Sequence, residues 1–337
     1  MNEWIRERVS RLGVGGAGIG NLYRVVEESS AHATIAAALE AGMTYVDTAP
    51  HYGFGLSEKR LGRSLSRLDS EHRVCLSTKV GRTLMPVAAG IDMSAPRQGF
   101  ISPEPWESVF DYSYDGIMRS YEESRARLGR DVDVLYVHDI GRRVHGDRHA
   151  DVLREFMAEG YRALRALRDT GVVGAIGMGV NEWEVCEEAL TVADFDVVLL
   201  AGRYTLLEQG ALESFLPLCK RRGVSVVIGG PFNSGILARG VRCGDTPKYD
   251  YERASADVIA RVRAIEEVCV SHDVPLGAAA LQFPLAHPQV ISVIPGMSHA
   301  SEVEQATRWL QTPIPAGFWS ELRGRGLVNP DAPLPAG

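Results

Sequence analysis

The sequence has no CxxC pair, no long apolar run and no dense block of one charge. Its five cysteines, an odd number, are scattered at positions 75, 186, 219, 243 and 269. That spacing argues against a disulfide framework and against a zinc ribbon. No apolar stretch approaches the roughly 18 residues of a membrane span. The first residues, MNEWIRERVSR, lack an apolar stretch of signal-peptide type. The net charge of −7 is spread along the chain, and the densest basic group, Arg142, Arg143 and Arg148, is short and interrupted. A nucleic-acid partner would need a true basic patch. What remains reads as a cytoplasmic protein, with neither membrane nor nucleic acid expected as a partner and no signal for an oligomeric state. Hydrophobic residues at 45% and charged residues at 23% describe a globule with a full core.

What is present is an alternation. Short β-branched runs fall at Arg11–Gly15, Thr44–Thr48, Val74–Lys79, Val132–His138, Ala175–Asn181, Asp196–Arg203, Ser225–Gly230 and Val290–Ile294. Between them lie stretches with apolar residues at three- and four-residue spacing: Ala31–Ala41, Ser57–Leu65, Asp115–Leu128, Val152–Asp169, Glu182–Thr191, Leu212–Arg221 and Ala256–Ser271. Glycines after Leu128, Thr170 and Arg222 mark helix ends. Eight strand–helix units predict a single (β/α)8 TIM barrel spanning residues 1–337, with function at the carboxyl ends of its strands. Residues 82–111 and, more briefly, 239–251 lack periodicity and read as long loops; residues 329–337 read as a Pro-rich surface tail.

Two motifs fail on inspection. Gly13–Gly18 fits GxGxxG, with Asp47 at the end of the second strand, but no helix opens inside the glycines as a Rossmann turn requires. A glycine-rich strand end that lets a ligand approach the backbone fits better. His145 and His149 have the spacing of a metal pair but no partner carboxylate cluster, and they read as a solvated loop; no metal site is expected. The cysteines read as small buried hydrophobes or surface bystanders.

Chemistry gathers at three consecutive strand ends. Asp47 closes TYVD, with Tyr52 five positions on; Lys79 closes VCLSTK; His138 closes VDVLYVH. Alternation puts Cys75, Ser77 and Lys79 on one face, and Val134, Tyr136 and His138 on one face. A phenol is a poor base at neutral pH, but a nearby ammonium favours the phenolate. The expectation is that Lys79, anchored by Asp47, lowers the Tyr52 pKa, and that His138 orients the same substrate oxygen. Proton exchange at an oxygen without metal ligands points to hydride chemistry and so to a nicotinamide cofactor.

DTAPHYGFGLSEKRLG, STKVG and LYVHD resemble the aldo-keto reductase superfamily over nearly the full chain. The resemblance implies that Asp47, Tyr52, Lys79 and His138 form a catalytic tetrad. It implies that Asn181 in GMGVNEW meets the nicotinamide carboxamide and that Tyr204 in AGRYTLL stacks on the ring, beside Arg203 in place of the usual Gln. It puts Gly230, Pro231, Phe232, Asn233 and Gly235 of GGPFNSGIL over the pyrophosphate. Ile294, Gly296, Met297, Ser298, Glu302 and Gln305 fall in the adenosine segment, with Ala306 where the family has Asn. Gly16 and Ala17 of the first strand end complete the expected cofactor set. With Glu302 and only His299 where a 2′-phosphate would need Lys or Arg, NAD is expected over NADP. AGRYTLLEQGAL and VPLGAAALQFPLAHP resemble the branch of D-threo-aldose 1-dehydrogenase, L-fucose dehydrogenase and pyridoxal 4-dehydrogenase. The implied reaction is oxidation of an aldose at C1 to the lactone, with Phe54 and Trp106 as apolar platforms beside Tyr52 and His138. Pyridoxal oxidation, general aldehyde or ketone reduction, and a non-catalytic barrel are the competing readings.

Overall fold

The computed structural model describes residues 3–92, 95–242 and 246–336. The barrel begins with β1 (Val14–Gly15), β2 (Tyr45–Asp47) and β3 (Cys75–Val80). A hairpin of β4 (Arg82–Pro86) and β5 (Trp106–Phe110) follows. The barrel resumes with β6 (Val134–His138), β7 (Ala175–Val180), β8 (Val197–Ala201) and β9 (Ser225–Gly229). A second hairpin, β10 (Lys248–Tyr249) and β11 (Glu252–Arg253), precedes β12 (Val290–Ile294). The parallel order is β1-β2-β3-β6-β7-β8-β9-β12. The ring closes where the Gly13 and Gly15 amides donate to the carbonyls of Val293 (3.0 Å) and Pro295 (2.9 Å). All eight expected strands are therefore present, as the (β/α)8 barrel requires.

Every barrel strand after the short β1 is buried or nearly so, which is why each reads as a continuous β-branched run rather than an alternating one. The inner core holds Tyr45, Cys75, Val134, Tyr136, Ala175, Val197 and Val227. The helix Glu3–Arg8 seals its lower end: Ile5 is fully buried in that cluster, and Trp4 and Val9 pack with it. Midway up, the Tyr45 and Tyr136 hydroxyls bond to each other at 2.8 Å, and Ser77 Oγ lies 3.1 Å from the Tyr45 hydroxyl. Cys186, Cys219 and Cys269 are buried in the outer core between strands and helices, while Cys243 lies outside the described residues.

Three expectations need correction. Residues 82–111 are not a plain loop: β4 and β5 pair antiparallel with Arg82 opposite Phe110 and Pro86 opposite Trp106. Residues 248–253 form a tight hairpin whose central residues, Asp250 and Tyr251, both have positive φ (53° and 69°). The segment around His145 and His149 is helical, with His149 buried against Glu188 (3.1 Å) and His145 Nε2 3.0 Å from the Tyr112 hydroxyl. The helix continues to Asp169 through a wide π turn at Phe156–Gly160, where only a glycine tolerates the approach of the Tyr112 carbonyl. The 329–336 tail is held down: the Asn329 amide donates to Gln209 (2.6 Å), Arg323 donates to the Ala332 carbonyl (2.8 Å), and Ala332 is buried.

Candidate active site

β2, β3 and β6 lie side by side, in a register that brings their polar ends together above the inner core. Lys79 Nζ donates to Asp47 Oδ2 (2.6 Å), to the Thr48 carbonyl (2.9 Å) and to the Tyr52 hydroxyl (3.2 Å). Ser77 donates to the other Asp47 oxygen at 2.7 Å. Gly179 on β7 leaves room for the Lys79 chain, since a methyl there would lie 3.2 Å from Lys79 Cε. The Asp47 and Lys79 side chains are each 2% exposed, so removing either would strand a buried charge, typically at about 3–5 kcal/mol.

Burial opposes the Lys79 charge, but Asp47 and the Tyr52 phenol outweigh it and hold the ammonium above the ordinary lysine value. For Tyr52 the balance differs from expectation. Burial raises the phenol above its usual pKa, and Lys79 recovers only part of the rise. Desolvation wins because the hydroxyl gains only one cationic neighbour. The phenol is thus a proton donor in the resting site, and Lys79 is what keeps its deprotonation within reach.

Burial, with Lys79 and Arg82 nearby, pushes His138 well below the usual histidine value; the ring is neutral. Its Nδ1 is buried without a hydrogen-bond partner among the described residues, and its Nε2 lies 3.5 Å from Asp139 Oδ2. The proton of a neutral ring so placed belongs on Nε2, giving a donor.

Asp139 itself is a residue the sequence reading missed. It takes a left-handed backbone (φ 52°), is paired by Arg82 Nη1 at 2.6 Å, and stands 3.5 Å from Asn181 Nδ2. Arg82 also donates to Ser108 (3.0 Å) and Gln98 (3.2 Å), and it lies over the Phe110 ring. His51 is edge-on to His138, with ring centroids 6.1 Å apart; burial keeps it neutral too. The HD dipeptide and an Arg two residues past β3 were the available signals.

From Asp47 and Tyr52 a cavity of about 800 Å³ runs across the barrel mouth to the helix Ala300–Gln311. Its volume is within the range of ligand sites. Ala17, Asn181, Arg203, Gly230, Pro231, Phe232, Asn233 and Gly235 line it, as do Ile294, Gly296, Met297, Ser298, Glu302 and Gln305. Arg203 binds the Asn181 carbonyl (2.8 Å) and both oxygens of Asp250 (2.8 and 2.9 Å), so it braces the β10–β11 hairpin. The Asn233 amide is engaged internally, with Thr205 Oγ1 (2.6 Å) and the Gly202 carbonyl (3.0 Å). The walls also carry Arg24 and Arg239, two cations that sequence reading did not place there.

Other candidates lie off the cavity. Gly16 does not line it; its neighbours Gly15 and Gly18 do, and the Gly16 amide instead donates to the Asp47 carbonyl at 2.7 Å. Tyr204 is fully buried, with its ring against Phe283 and His287, so it does not present a face to the cavity. Phe54 is 1% exposed, packed edge-on to His51 and Phe100 with the Arg97 guanidinium over it. Trp106 belongs to the β4–β5 hairpin and does not line the cavity. Tyr204 and Phe54 are committed to packing, not to a ligand.

The cavity walls suit a dinucleotide: apolar flanks, several glycines for close backbone approach, and arginines for its phosphates. Comparisons with known proteins agree. The Aldo/keto reductase family model matches residues 11–324. A pyridoxal 4-dehydrogenase from Microbacterium luteolum is 43% identical over 329 residues, covering 95% of each chain. A D-threo-aldose 1-dehydrogenase from a Pseudomonas species is 39% identical over 325 residues, again covering 95% of each. The holo form of an aldo-keto reductase from Bacillus halodurans superposes with a TM-score of 0.72 at 26% identity, over 95% of this chain and 93% of that one. Among the described residues no helix is long and apolar enough to cross a membrane. With a closed barrel, four polar residues meeting at its rim and a dinucleotide-sized cavity beside them, the chain belongs to the aldo/keto reductase family and is an oxidoreductase of the NAD(P)-dependent kind.

Proposed function

We propose that the protein oxidises an aldose at C1 to the lactone, using NAD. The observation that carries the sugar reading is the cluster of polar side chains beside His138. Asp139, Arg82, Gln98 and His51 supply acceptors and donors within one cluster. A polyol needs such partners, since each hydroxyl buried unpaired costs about 1–3 kcal/mol. Tyr52, having first released its own proton to solvent with Lys79 stabilising the resulting phenolate, would take the proton of the anomeric hydroxyl and return to the phenol. His138 Nε2–H would hold the same oxygen. Bound NAD would supply the hydride acceptor, held by Asn181, the Gly229–Gly235 loop and the 294–305 segment. Glu302 on the cavity wall supports NAD, because its charge would repel a 2′-phosphate.

The second reading is pyridoxal oxidation. It is supported by the rings around Tyr52 and His138, namely His51 and Phe100, and by the name of the relative from Microbacterium luteolum. A panel of aldoses plus pyridoxal, followed by NADH absorbance, separates the two. Higher kcat/KM for pyridoxal than for every aldose would overturn the sugar reading, and a preference for NADP of about tenfold or more would overturn the NAD reading. Asp139→Asn should lower kcat/KM for the preferred aldose about tenfold or more, with a smaller loss for its 2-deoxy analogue. Equal losses would assign Asp139 to packing instead.

A further inference from the structure

A charge pair stands in the wall of the cavity, which Asp47, Tyr52, Arg24 and Glu302 all line. On the proposed reading, the nicotinamide lies at Tyr52 and the adenosine against the 294–305 segment, beside Glu302. There Arg24, from the loop after β1, donates to Glu302 and to Ser298 Oγ, across 278 and 274 residues of chain. The Glu302 carboxylate also accepts from the Ser298 amide (2.8 Å), the Ser298 hydroxyl (3.2 Å) and the His299 amide (3.3 Å). A guanidinium, a hydroxyl and two amides thus converge on one anion in the wall of a nucleotide cavity. Donors of these kinds grip phosphates in other proteins.

We propose that Glu302 is an internal substitute for the cofactor's 2′-phosphate, and that the Arg24–Glu302 pair is what directs the enzyme to NAD. The inference rests on the NAD reading and changes its cause. Discrimination comes not from a missing cation but from a cation already occupied. Arg24 reaches this wall because the barrel folds residue 24 against residue 302. While Glu302 is in place, an incoming phosphate meets a carboxylate and a guanidinium that cancel, and it must displace bonds already made. With Glu302 gone, the same donors are left facing the ribose end of the nucleotide.

The test uses adenosine fragments, so no turnover is involved. 5′-AMP and 2′,5′-ADP are titrated calorimetrically into the whole protein, with thermal melting as the check on folding. The wild type should prefer 5′-AMP. Glu302→Ala should raise the affinity for 2′,5′-ADP relative to 5′-AMP about tenfold to a hundredfold. Arg24→Ala added to Glu302→Ala should abolish that gain. Glu302→Gln, which retains an oxygen for the amides, should give a smaller gain and stands in if the alanine variant does not fold. No gain in either variant, or a gain that survives the loss of Arg24, overturns the proposal. A wild type that prefers 2′,5′-ADP removes the NAD reading and the proposal together, whereas a preference for 5′-AMP without a gain removes the proposal alone.

Discussion

The two ends of the barrel are built from the same strands and do opposite things. At the lower end Cys75, Val134 and Ala175 meet Ile5 and Trp4, and the interior is apolar and sealed. At the upper end of the same strands lie Lys79, His138 and, against them, Asp47, Asp139 and Arg82, all nearly as deeply buried. Burial is thus shared, but below it lowers the free energy outright, while above it is tolerated only because every charge has a partner. Stability concentrates where nothing reacts. The rim also carries left-handed backbone at Phe54, Asp139, Asn233, Ser234, Asp250 and Tyr251, conformations that cost free energy in non-glycine residues.

Substitutions at the two ends should separate activity from stability. The largest effect is expected at the rim: Tyr52→Phe should lower kcat about 10²–10⁴-fold while NAD binding and melting temperature stay near wild type. Undiminished kcat would remove the phenol from the chemistry. At the base, Ile5→Ala should cost about 2–5 kcal/mol in denaturant unfolding, with kcat of the folded fraction unchanged. A matching loss of kcat would mean that the plug and the rim are coupled. Lys79→Met removes the neighbour that lowers the phenol, so the Tyr52 pKa must rise further. Alcohol oxidation, which needs the proton gone, should then shift to higher pH, and an unmoved pH profile would refute the ion's role. Melting of Lys79→Met beside Asp47→Asn/Lys79→Met should show the double variant the more stable, because only the single one strands a carboxylate.

The smallest effect concerns His51 and His138. Both have pKa values lowered in the fold, so the unfolded chain binds protons first as pH falls. Their contribution is complete above the unfolded value near 6.5 and declines below it, by about 1.4 kcal/mol per pH unit for each ring. His51→Phe should flatten that slope.

How much of this was legible differs between the two ends as well. The eight strands could be read because parallel strands buried on both faces are written as β-branched runs. Asp47, Lys79 and His138 could be read because a charged or polar residue closing such a run has nowhere to go but a built site. Tyr204 could not be placed: β8 ends at Ala201, and past a strand end alternation no longer assigns a face, so Arg203 reaches the cavity while Tyr204 turns to Phe283. Gly16 fails for a similar reason, since a one-residue offset separates the cavity wall from β2 packing. Arg24 was invisible because its partner, Glu302, lies far along the chain, and the HD dipeptide could flag Asp139 but not its pairing with Arg82.

The β4–β5 hairpin stands outside the barrel ladder. Among the described residues its strands pair only with each other, yet it delivers Arg82 to Asp139 and places Phe110 beneath that guanidinium. A lineage could therefore rewrite what the enzyme accepts by exchanging one appendage, leaving proton transfer and hydride acceptance on the frame untouched. If the Arg82–Asp139 pair meets the substrate as proposed, transplanting residues 82–110 between relatives should carry substrate choice along with them.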